Sequence, residues 1–349
     1  MSGDRSSGRS KRPPRSHEGE QMRHRPTLAR VRPMAVLALT AAVVASGCGG
    51  DSAGDAEGGG GELVTINIGT LPTANAAAMY LGMQEGFFEE EGLVVEPTVL
   101  QGGNEIITGL VSGDYDFGFV GYISAGVALS QNVPVCVVTA SDATGTSAED
   151  DWQALVASEG SGLDTPQDFA GSTLGINALG GVAEVLILAA LDAEGVDVNT
   201  IEFIEVPFPE VPAAVSAGRI DAGYGAEPFI TTVLDQGGEV VYAPQSELAP
   251  EYPNGSYAAS EQFIAENGDV IDSFTQAMNR SVEFARDNED AVRDIIPTYT
   301  EIDPDIAERM RLPVFTSELD EQAIDEQMGF LEQYDIVQAA PTADELICG

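Results

Sequence analysis

Two segments of the chain, about a hundred residues apart, share one pattern of apolar and polar positions. Residues 113–119 read GDYDFGF and residues 218–224 read GRIDAGY, so both fit Gly-x-x-Asp-x-Gly-aromatic. An apolar stretch with helical spacing precedes each first glycine, and a short apolar run follows each aspartate. The pattern predicts a helix that ends at glycine, a buried strand, and a turn that begins a new helix. Two such units predict two similar α/β lobes. We interpret Asp116 and Asp221 as structural residues that bond local N–H groups.

The segments between and around these units alternate predicted strands with predicted helices. Residues 62–69 alternate apolar and polar side chains, which indicates a first strand, and a helix capped by Thr73 follows. Residues 141–151 are predicted as a polar loop, and residues 152–157 as the crossover to a second lobe. Beyond residue 260 the apolar spacing is helical.

The beginning of the chain has the composition of an export signal. Basic residues precede an apolar run of twelve at residues 34–45, which is shorter than the ~20 residues needed to span a bilayer. Residues 1–47 are therefore predicted as a signal peptide, with Met22 as an alternative start. The sequence ASGC at residues 45–48 resembles a bacterial lipobox, although Ala45 replaces the usual Leu. The resemblance implies acylation of Cys48 and a lipid anchor on the outer face of the cell membrane; the alternative is an ordinary signal peptide with an incidental cysteine.

The remaining bulk properties exclude several classes of function. The Gly-rich residues 49–61 are predicted to be a flexible tether. The formal net charge is −42, and from Cys48 onward the chain has six arginines, 54 acidic residues, no lysine and no histidine. Nucleic acid is thus excluded as a partner, and so are catalysis and metal binding by imidazole. Such acidity fits a surface hydrated at high salt, or simply an acidic secreted protein.

Two cysteines remain when Cys48 is set aside. In an exported protein an even pair favours a disulfide, so Cys136 and Cys348 are predicted to join the end of the chain to the first lobe. The alternative is a pair of free buried thiols.

Four phrases carry a resemblance to a known family: LPTANAAAMYLGMQEGFFEEEGLVVEPTVL, GGNEIITGLVSGDYDFGFVGYISA, LDTPQDFAGSTLGIN and GRIDAGYGAEPF. From about residue 62 to 340 the chain resembles the periplasmic solute-binding proteins of ABC importers, in the group that takes up nitrate, sulfonates, taurine and thiamine-pyrimidine precursors. The resemblance implies an α/β class and a type II periplasmic-binding-protein fold, with two lobes, a hinge of two crossovers and a ligand in the cleft. It places residues 62–152 and 257–349 in lobe one and residues 153–256 in lobe two. It also implies a monomer that delivers its solute to a membrane permease and an ATPase, without a cofactor.

The same family builds its cleft from turns at the carboxyl ends of strands, where helices begin. Trp152 lies near the predicted hinge and either stacks on a ligand or packs in the core. The predicted ligand contacts in these turns, each of which also suits an ordinary cap or turn, are Thr73, Asn75, Gly103, Asn104, Tyr122, Ser124, Asn177, Gly180, Gly181, Tyr224 and Glu227.

These residue types suggest a ligand class. Two tyrosines could stack on a ring and Glu227 could accept its N–H bonds, which favours a nitrogenous ring such as a thiamine-pyrimidine precursor. The alternative is a sulfonate, taurine or nitrate held by helix N-termini alone, since Arg219 is the only cation near a cleft turn and is expected to be solvated. Import is the expected role. A ligand sensor is a second possibility, and an enzyme like the related yeast thiamine-pyrimidine synthase, which uses a histidine, is disfavoured because the body has no histidine.

Overall fold

The computed structural model describes residues 63–348. The predicted signal peptide, Cys48 and the Gly-rich tether lie outside the described residues. Within residues 63–348, no helix is both long enough and apolar enough to cross a membrane.

The strands of the described part form two sheets. In chain order they are β1 (Val64–Thr70), β2 (Leu93–Val99), β3 (Phe117–Gly121), β4 (Val135–Ala143), β5 (Gln153–Ser158), β6 (Thr173–Ile176), β7 (Glu202–Glu205), β8 (Ala222–Ala226), β9 (Gly238–Tyr242), β10 (Pro253–Ser260) and β11 (Val314–Phe315).

Helices lie between most of these strands up to β10, and the helices after β10 are interrupted only by β11. They are α1 (Ala77–Gln84), α2 (Phe87–Glu90), α3 (Gly103–Ser112), α4 (Tyr122–Ser130), α5 (Val182–Ala193), α6 (Val211–Ser216), α7 (Phe229–Asp235), α8 (Pro244–Leu248), α9 (Glu261–Glu266), α10 (Gly268–Asp287), α11 (Glu289–Ile295), α12 (Pro297–Thr300), α13 (Pro304–Ala307), α14 (Glu321–Gln333) and α15 (Ala343–Leu346).

Each sheet is the centre of one α/β lobe. The first sheet has the order β11-β4-β10-β3-β1-β2, and the second has the order β7-β6-β8-β5-β9. In the first sheet β1 is parallel to β2 and β3, and β10 runs antiparallel to β3 and β4. In the second, β6 is parallel to β7 and β8, and β5 runs antiparallel to β8 and β9. We refer to the first sheet with its helices as lobe one and to the second as lobe two; the predicted α/β class with two lobes is confirmed.

The two repeated segments fold alike, one in each lobe. Helix α3 ends at Gly113, whose φ is 79°, and α6 is followed by Gly218, whose φ is 62°, a conformation that glycine adopts without strain. Buried strands β3 and β8 follow, as predicted. The Oδ2 atom of Asp116 accepts the Asn67 N–H at 2.8 Å, and the Oδ2 atom of Asp221 accepts the Thr173 N–H at 2.8 Å. Each aspartate therefore ties the start of its strand to a neighbouring strand.

Aromatic side chains contribute to the core of each lobe. In lobe one, Phe117 of β3 stacks on Phe274 of α10 with ring centroids 3.8 Å apart. In lobe two, Trp152 is fully buried in the same cluster as Phe169 and Tyr224. Its indole N–H donates to the carbonyl of Ala143 at 3.0 Å, so Trp152 packs at the hinge rather than facing a ligand.

The chain passes between the lobes at residues 144–152 and again at residues 243–252. These two crossovers lie side by side, because the Thr144 N–H donates to the Tyr252 carbonyl at 3.0 Å and the Tyr252 N–H donates to Thr144 Oγ1 at 2.8 Å. Three details differ from the sequence prediction. Residues 153–157, predicted as part of the crossover, belong to strand β5 of the second sheet. Strand β4 continues through residues 141–143, which were predicted as loop, and β10 joins the first sheet at Pro253, ahead of the predicted lobe boundary at 257. Backbone pairing between β4 and β10 extends both strands.

The predicted disulfide is confirmed: Cys136 of β4 is bonded to Cys348, with their Cα atoms 5.4 Å apart. Beside it the Cys348 N–H donates to the Val137 carbonyl at 2.9 Å. The bond closes a loop across 212 residues and holds the end of the chain on the first sheet.

Removing this disulfide is expected to destabilise the protein. The Cys136→Ser, Cys348→Ser double variant should lose roughly 4–5 kcal/mol of unfolding free energy, because the long loop is no longer closed in the unfolded chain. Urea titration of both proteins measures the difference, and reduction of the wild type should reproduce it. A difference below about 1 kcal/mol would show that the tail is held by packing alone.

Candidate ligand-binding cleft

A cavity of about 50 Å³ lies between the two lobes. It is small beside the roughly 300–1,000 Å³ of pockets for drug-sized ligands, so in this conformation it suits a small solute. None of its described lining residues carries a charge. They are Leu71, Thr73, Asn75, Gly103, Phe119, Val120, Gly121, Ser124, Gln153, Asn177, Ala178, Gly181, Val182, Phe208, Tyr224, Asn254 and Gly255.

Three helices begin at this cavity. The N-cap residues of α3, α4 and α5 are Gly102, Gly121 and Gly181, and each lies in an extended conformation without a side-chain cap. Their first N–H groups have no partner within their own helices, so a solute in the cavity can receive these hydrogen bonds. Gly121 also permits close contact of the lobes, because a Cβ atom there would collide with Val182 of lobe two.

The structure brings most of the sequence-predicted residues to the cavity. Ligand contact itself stays a prediction for them. Those that line the cavity are Thr73, Asn75, Gly103, Ser124, Asn177, Gly181 and Tyr224.

Four predicted residues are not part of the lining, and Tyr122 is the first of them. It is only 1 % exposed and packs in the apolar cluster that includes Ile106 and Val185. The sequence predicted a turn residue that faces the cleft, but α4 already begins at Tyr122. The first turn of the helix therefore directs this side chain into the core instead of across a ligand.

Glu227 is the second, and its carboxylate is already occupied by hydrogen bonds. It is fully buried and accepts the N–H of Thr231 at 3.0 Å, the hydroxyl of Thr231 at 2.9 Å and the N–H of Arg311 at 3.3 Å. Burial raises the pKa of Glu227, and the hydrogen bonds from Thr231 oppose that shift. Its carboxylate thus stabilises the beginning of α7 rather than receiving N–H groups of a solute.

Asn104 and Gly180 lie at the rim. The Asn104 Nδ2 atom is 3.5 Å from the carbonyl oxygen of Leu179, and this contact links the two lobes at the surface. The Gly180 N–H donates to Glu184 Oε2 at 2.7 Å, within its own turn.

Sequence reasoning missed the buried polar network behind the cavity. Its centre is Asp142 of β4, which is 1 % exposed. The Asn75 Nδ2 atom donates to Asp142 Oδ2 at 3.1 Å, and the Asn254 Nδ2 atom donates to Asp142 Oδ1 at 3.0 Å. Gly255 leaves space for this carboxylate, since a Cβ atom there would collide with Asp142 Oδ2. The signal in the sequence was a carboxylate at Asp142, inside a strand that is otherwise buried. It was missed because residues 141–151 were predicted as a loop.

Gln153 and Asn254 are further lining residues that the sequence did not reveal. Each lies at or near the first position of a strand that follows a crossover, β5 and β10 respectively. Gln153 is 6 % exposed, and within the described residues its Oε1 atom has no hydrogen-bond partner. Within the same range, no three His, Cys, Asp or Glu side chains are grouped to hold a metal ion.

Comparison with known proteins agrees with this architecture. The family model described as "NMT1/THI5 like" matches residues 73–292. A formylaminopyrimidine-binding protein of Halalkalibacterium halodurans is 24% identical over 245 residues, which cover 68% of this chain and 70% of that protein. A taurine-binding periplasmic protein of Escherichia coli is 28% identical over 155 residues, covering 44% of this chain and 46% of that one.

Among solved structures, the ligand-binding component of an ABC-type import system from Staphylococcus aureus superimposes with a TM-score of 0.70. It is 16% identical, and the match covers 82% of this chain and 96% of that one. The fold is therefore that of the periplasmic binding proteins.

The buried carboxylate makes a prediction about pH. Burial raises the pKa of Asp142 from 3.8 to about 7, against the lowering effect of the bonds from Asn254 and Asn75. Because the folded-state pKa lies above the unfolded one, the contribution of this group to stability is full below pH ~4 and is lost as the pH rises through about 7. The unfolding free energy of Asp142→Asn should lack this decline, a difference on the order of a few kcal/mol. Urea titrations from pH 4 to 8 measure it.

The matched control is Asp116→Asn, which changes an aspartate just before β3, at the opposite end of the same sheet. A ¹³C carboxyl titration of the wild type provides a direct measurement. A midpoint for Asp142 near 4 would contradict the prediction.

Proposed function

Because the chain belongs to the NMT1/THI5-like family, we propose that it is the solute-binding component of an ABC importer and acts outside the cytoplasm. The uncharged cavity between two lobes, at the beginning of three helices, is the observation that supports this most strongly. Two adjacent crossovers connect the lobes, so a hinge motion can open the cavity and close it around a solute. The closed form then docks on a permease, which a separate ATPase drives.

The proposed solute is a small nitrogenous compound of the thiamine-pyrimidine type. Three observations support this class. One relative is named as a formylaminopyrimidine-binding protein. The apolar walls of the cavity include the aromatic residues Phe119, Phe208 and Tyr224. No described lining residue has a positive charge that could bind an oxyanion. The polar residues Asn177 and Gln153 can bond the ring nitrogens and amino group of such a solute.

A second candidate is an aliphatic sulfonate, taurine or nitrate. The three helix N-termini at the cavity favour it, because each offers free N–H groups and a partial positive charge to an anion. The taurine-binding relative supports the same alternative.

Binding fits the site better than catalysis. From Cys48 onward the sequence has no histidine, and the described lining of the cavity offers no carboxylate, lysine or cysteine as a general acid, base or nucleophile. The lipid anchor at Cys48 and the monomeric state are further parts of the proposal, and both rest on the sequence alone.

Solute binding is expected to raise the unfolding temperature of the protein. The panel consists of 4-amino-2-methylpyrimidine, its 5-formylaminomethyl derivative, taurine, ethanesulfonate and nitrate. A pyrimidine at a hundred times its dissociation constant should stabilise the fold by about 2.7 kcal/mol, since it binds only the folded state. No shift with any of the five compounds would contradict both proposed solute classes.

A blocked variant shows whether binding occurs in the cavity. Ser124 lines the cavity and is 7 % exposed, so Ser124→Leu fills space that a solute needs. Its affinity for the solute found in the panel should fall at least about tenfold. The matched control, Ser112→Leu at the exposed end of α3, should bind like the wild type. Calorimetric titration of the folded variants measures both, and equal affinities would exclude this cavity as the site.

A further inference from the structure

We propose that Asp142 is a positioning residue that fixes the direction of the hydrogen bonds in two chains of side chains behind the cleft, so that the protein selects its solute by an N–H or O–H donor group. The inference rests on the proposed binding role of the cavity. Asp142 itself is not part of the cavity lining and acts through two chains of side chains, which we call the Thr73 arm and the Tyr224 arm.

The Thr73 arm has two members. An ionised carboxylate only accepts hydrogen bonds, so Asn75 must present its NH₂ group to Asp142, at 3.1 Å. The Oδ1 atom of Asn75 then faces the Thr73 hydroxyl at 2.8 Å, and an amide oxygen can only accept. The Thr73 hydroxyl must therefore donate its single proton to Asn75.

The Tyr224 arm has three members and crosses to lobe two. Asn254 presents its NH₂ group to Asp142, so its Oδ1 atom faces Gln245 and accepts from Gln245 Nε2 at 2.9 Å. The Oε1 atom of Gln245 therefore faces Tyr224 and accepts its hydroxyl proton at 2.6 Å. The Tyr224 hydroxyl is thereby committed in the same way as that of Thr73.

Both arms end at residues that line the cavity. Each terminal hydroxyl has a single proton, and that proton points into the protein. Any hydrogen bond between a solute and Thr73 Oγ1 or Tyr224 Oη is consequently one that the protein atom accepts. The unpartnered Oε1 atom of Gln153 adds a third acceptor. A solute with amino, amide or hydroxyl hydrogens can satisfy these atoms, whereas one with acceptors alone leaves them unpaired.

Protonation of Asp142 would relax this constraint. A neutral carboxyl has one O–H donor, which permits one of the two asparagines to turn its oxygen toward Asp142 and its NH₂ group outward. The hydroxyl at the end of that arm could then donate into the cavity. The titratable groups that face Asp142 are Tyr122 of α4, Tyr224 of β8 and Tyr257 of β10, and burial raises the pKa of each tyrosine, so none changes charge between pH 6 and 8.

The variant Asp142→Asn separates a positioning role from a packing role. Its amide offers one acceptor and one NH₂ group where two acceptors are needed, so one arm must reverse and one terminal hydroxyl becomes a donor. Two matched pairs of probes report the change: taurine against ethanesulfonate, and 4-amino-2-methylpyrimidine against 2,4-dimethylpyrimidine. Within each pair only the amino group is lost or replaced by methyl.

At pH 8 the whole wild-type chain should bind the amino member of a pair at least about tenfold more tightly than its partner. In Asp142→Asn this ratio should fall at least about twofold, because one of the three acceptors becomes a donor. In the wild type the ratio should also decrease as the pH is lowered from 8 to 6. The control Asp116→Asn should keep the wild-type ratio at each pH. A folded Asp142→Asn protein that keeps the full ratio would overturn the proposal.

A measurement without ligand keeps the proposal testable if the variant does not fold or no probe binds. Neutron diffraction from deuterium-exchanged crystals at pH 8 should place the Thr73 hydroxyl deuteron toward Asn75 Oδ1 and that of Tyr224 toward Gln245 Oε1. Deuterons directed into the cavity would overturn the proposal. If both deuterons point away from the cavity but the protein binds none of the probes, the proposed direction of the hydrogen bonds is upheld. The solute classes of the proposed function are then contradicted.

Discussion

The cleft depends on the burial of one carboxylate. Asp142 lies inside β4, where water cannot solvate it, so its two oxygens need donors from the protein. Asn75 and Asn254 supply them from 67 residues before and 112 residues after in the chain. An unpaired carboxylate at this depth would cost several kcal/mol. The first helical turn of lobe one and the beginning of β10 are therefore held against β4, and both contribute residues to the cavity wall.

The lobes are held together around this centre by contacts of different kinds. The Ala74 N–H donates to the Glu227 carbonyl at 2.9 Å, which joins the first turn of lobe one to the strand end of lobe two. Farther out, Arg309 forms a bidentate pair with Asp235, with both N···O distances at 2.7 Å. This ion pair is exposed to water, so it contributes little free energy to holding the lobes together. The buried bonds beside the hinge therefore decide the relative position of the cavity walls.

The features that sequence reasoning predicted are those with local causes. Gly113 and Gly218 end helices in a conformation that favours glycine, and Gly103 and Gly181 mark places where helices begin beside a strand end, so their location followed from a few neighbouring residues. Asp142 could not be found in this way, because its partners are distant in the chain and β4 is extended through it by pairing with β10. Glu227 was predicted as a ligand contact although its partner is close in the chain. That partner, the N–H of Thr231, is only four residues away, and it is placed against the carboxylate by the first turn of α7.

Charge and hydrogen-bond polarity at the cleft favour the same kind of solute. The body of the protein has 54 acidic residues and six arginines, so its field disfavours the approach of anions. The described lining carries no cation to offset this field, and the carboxylate of Asp142 lies one residue behind the wall. The helix N-termini supply donors at one side of the cavity, while the hydroxyls of Thr73 and Tyr224 supply acceptors. A solute that carries both an N–H group and an acceptor atom can pair with both sides, which a simple oxyanion cannot do.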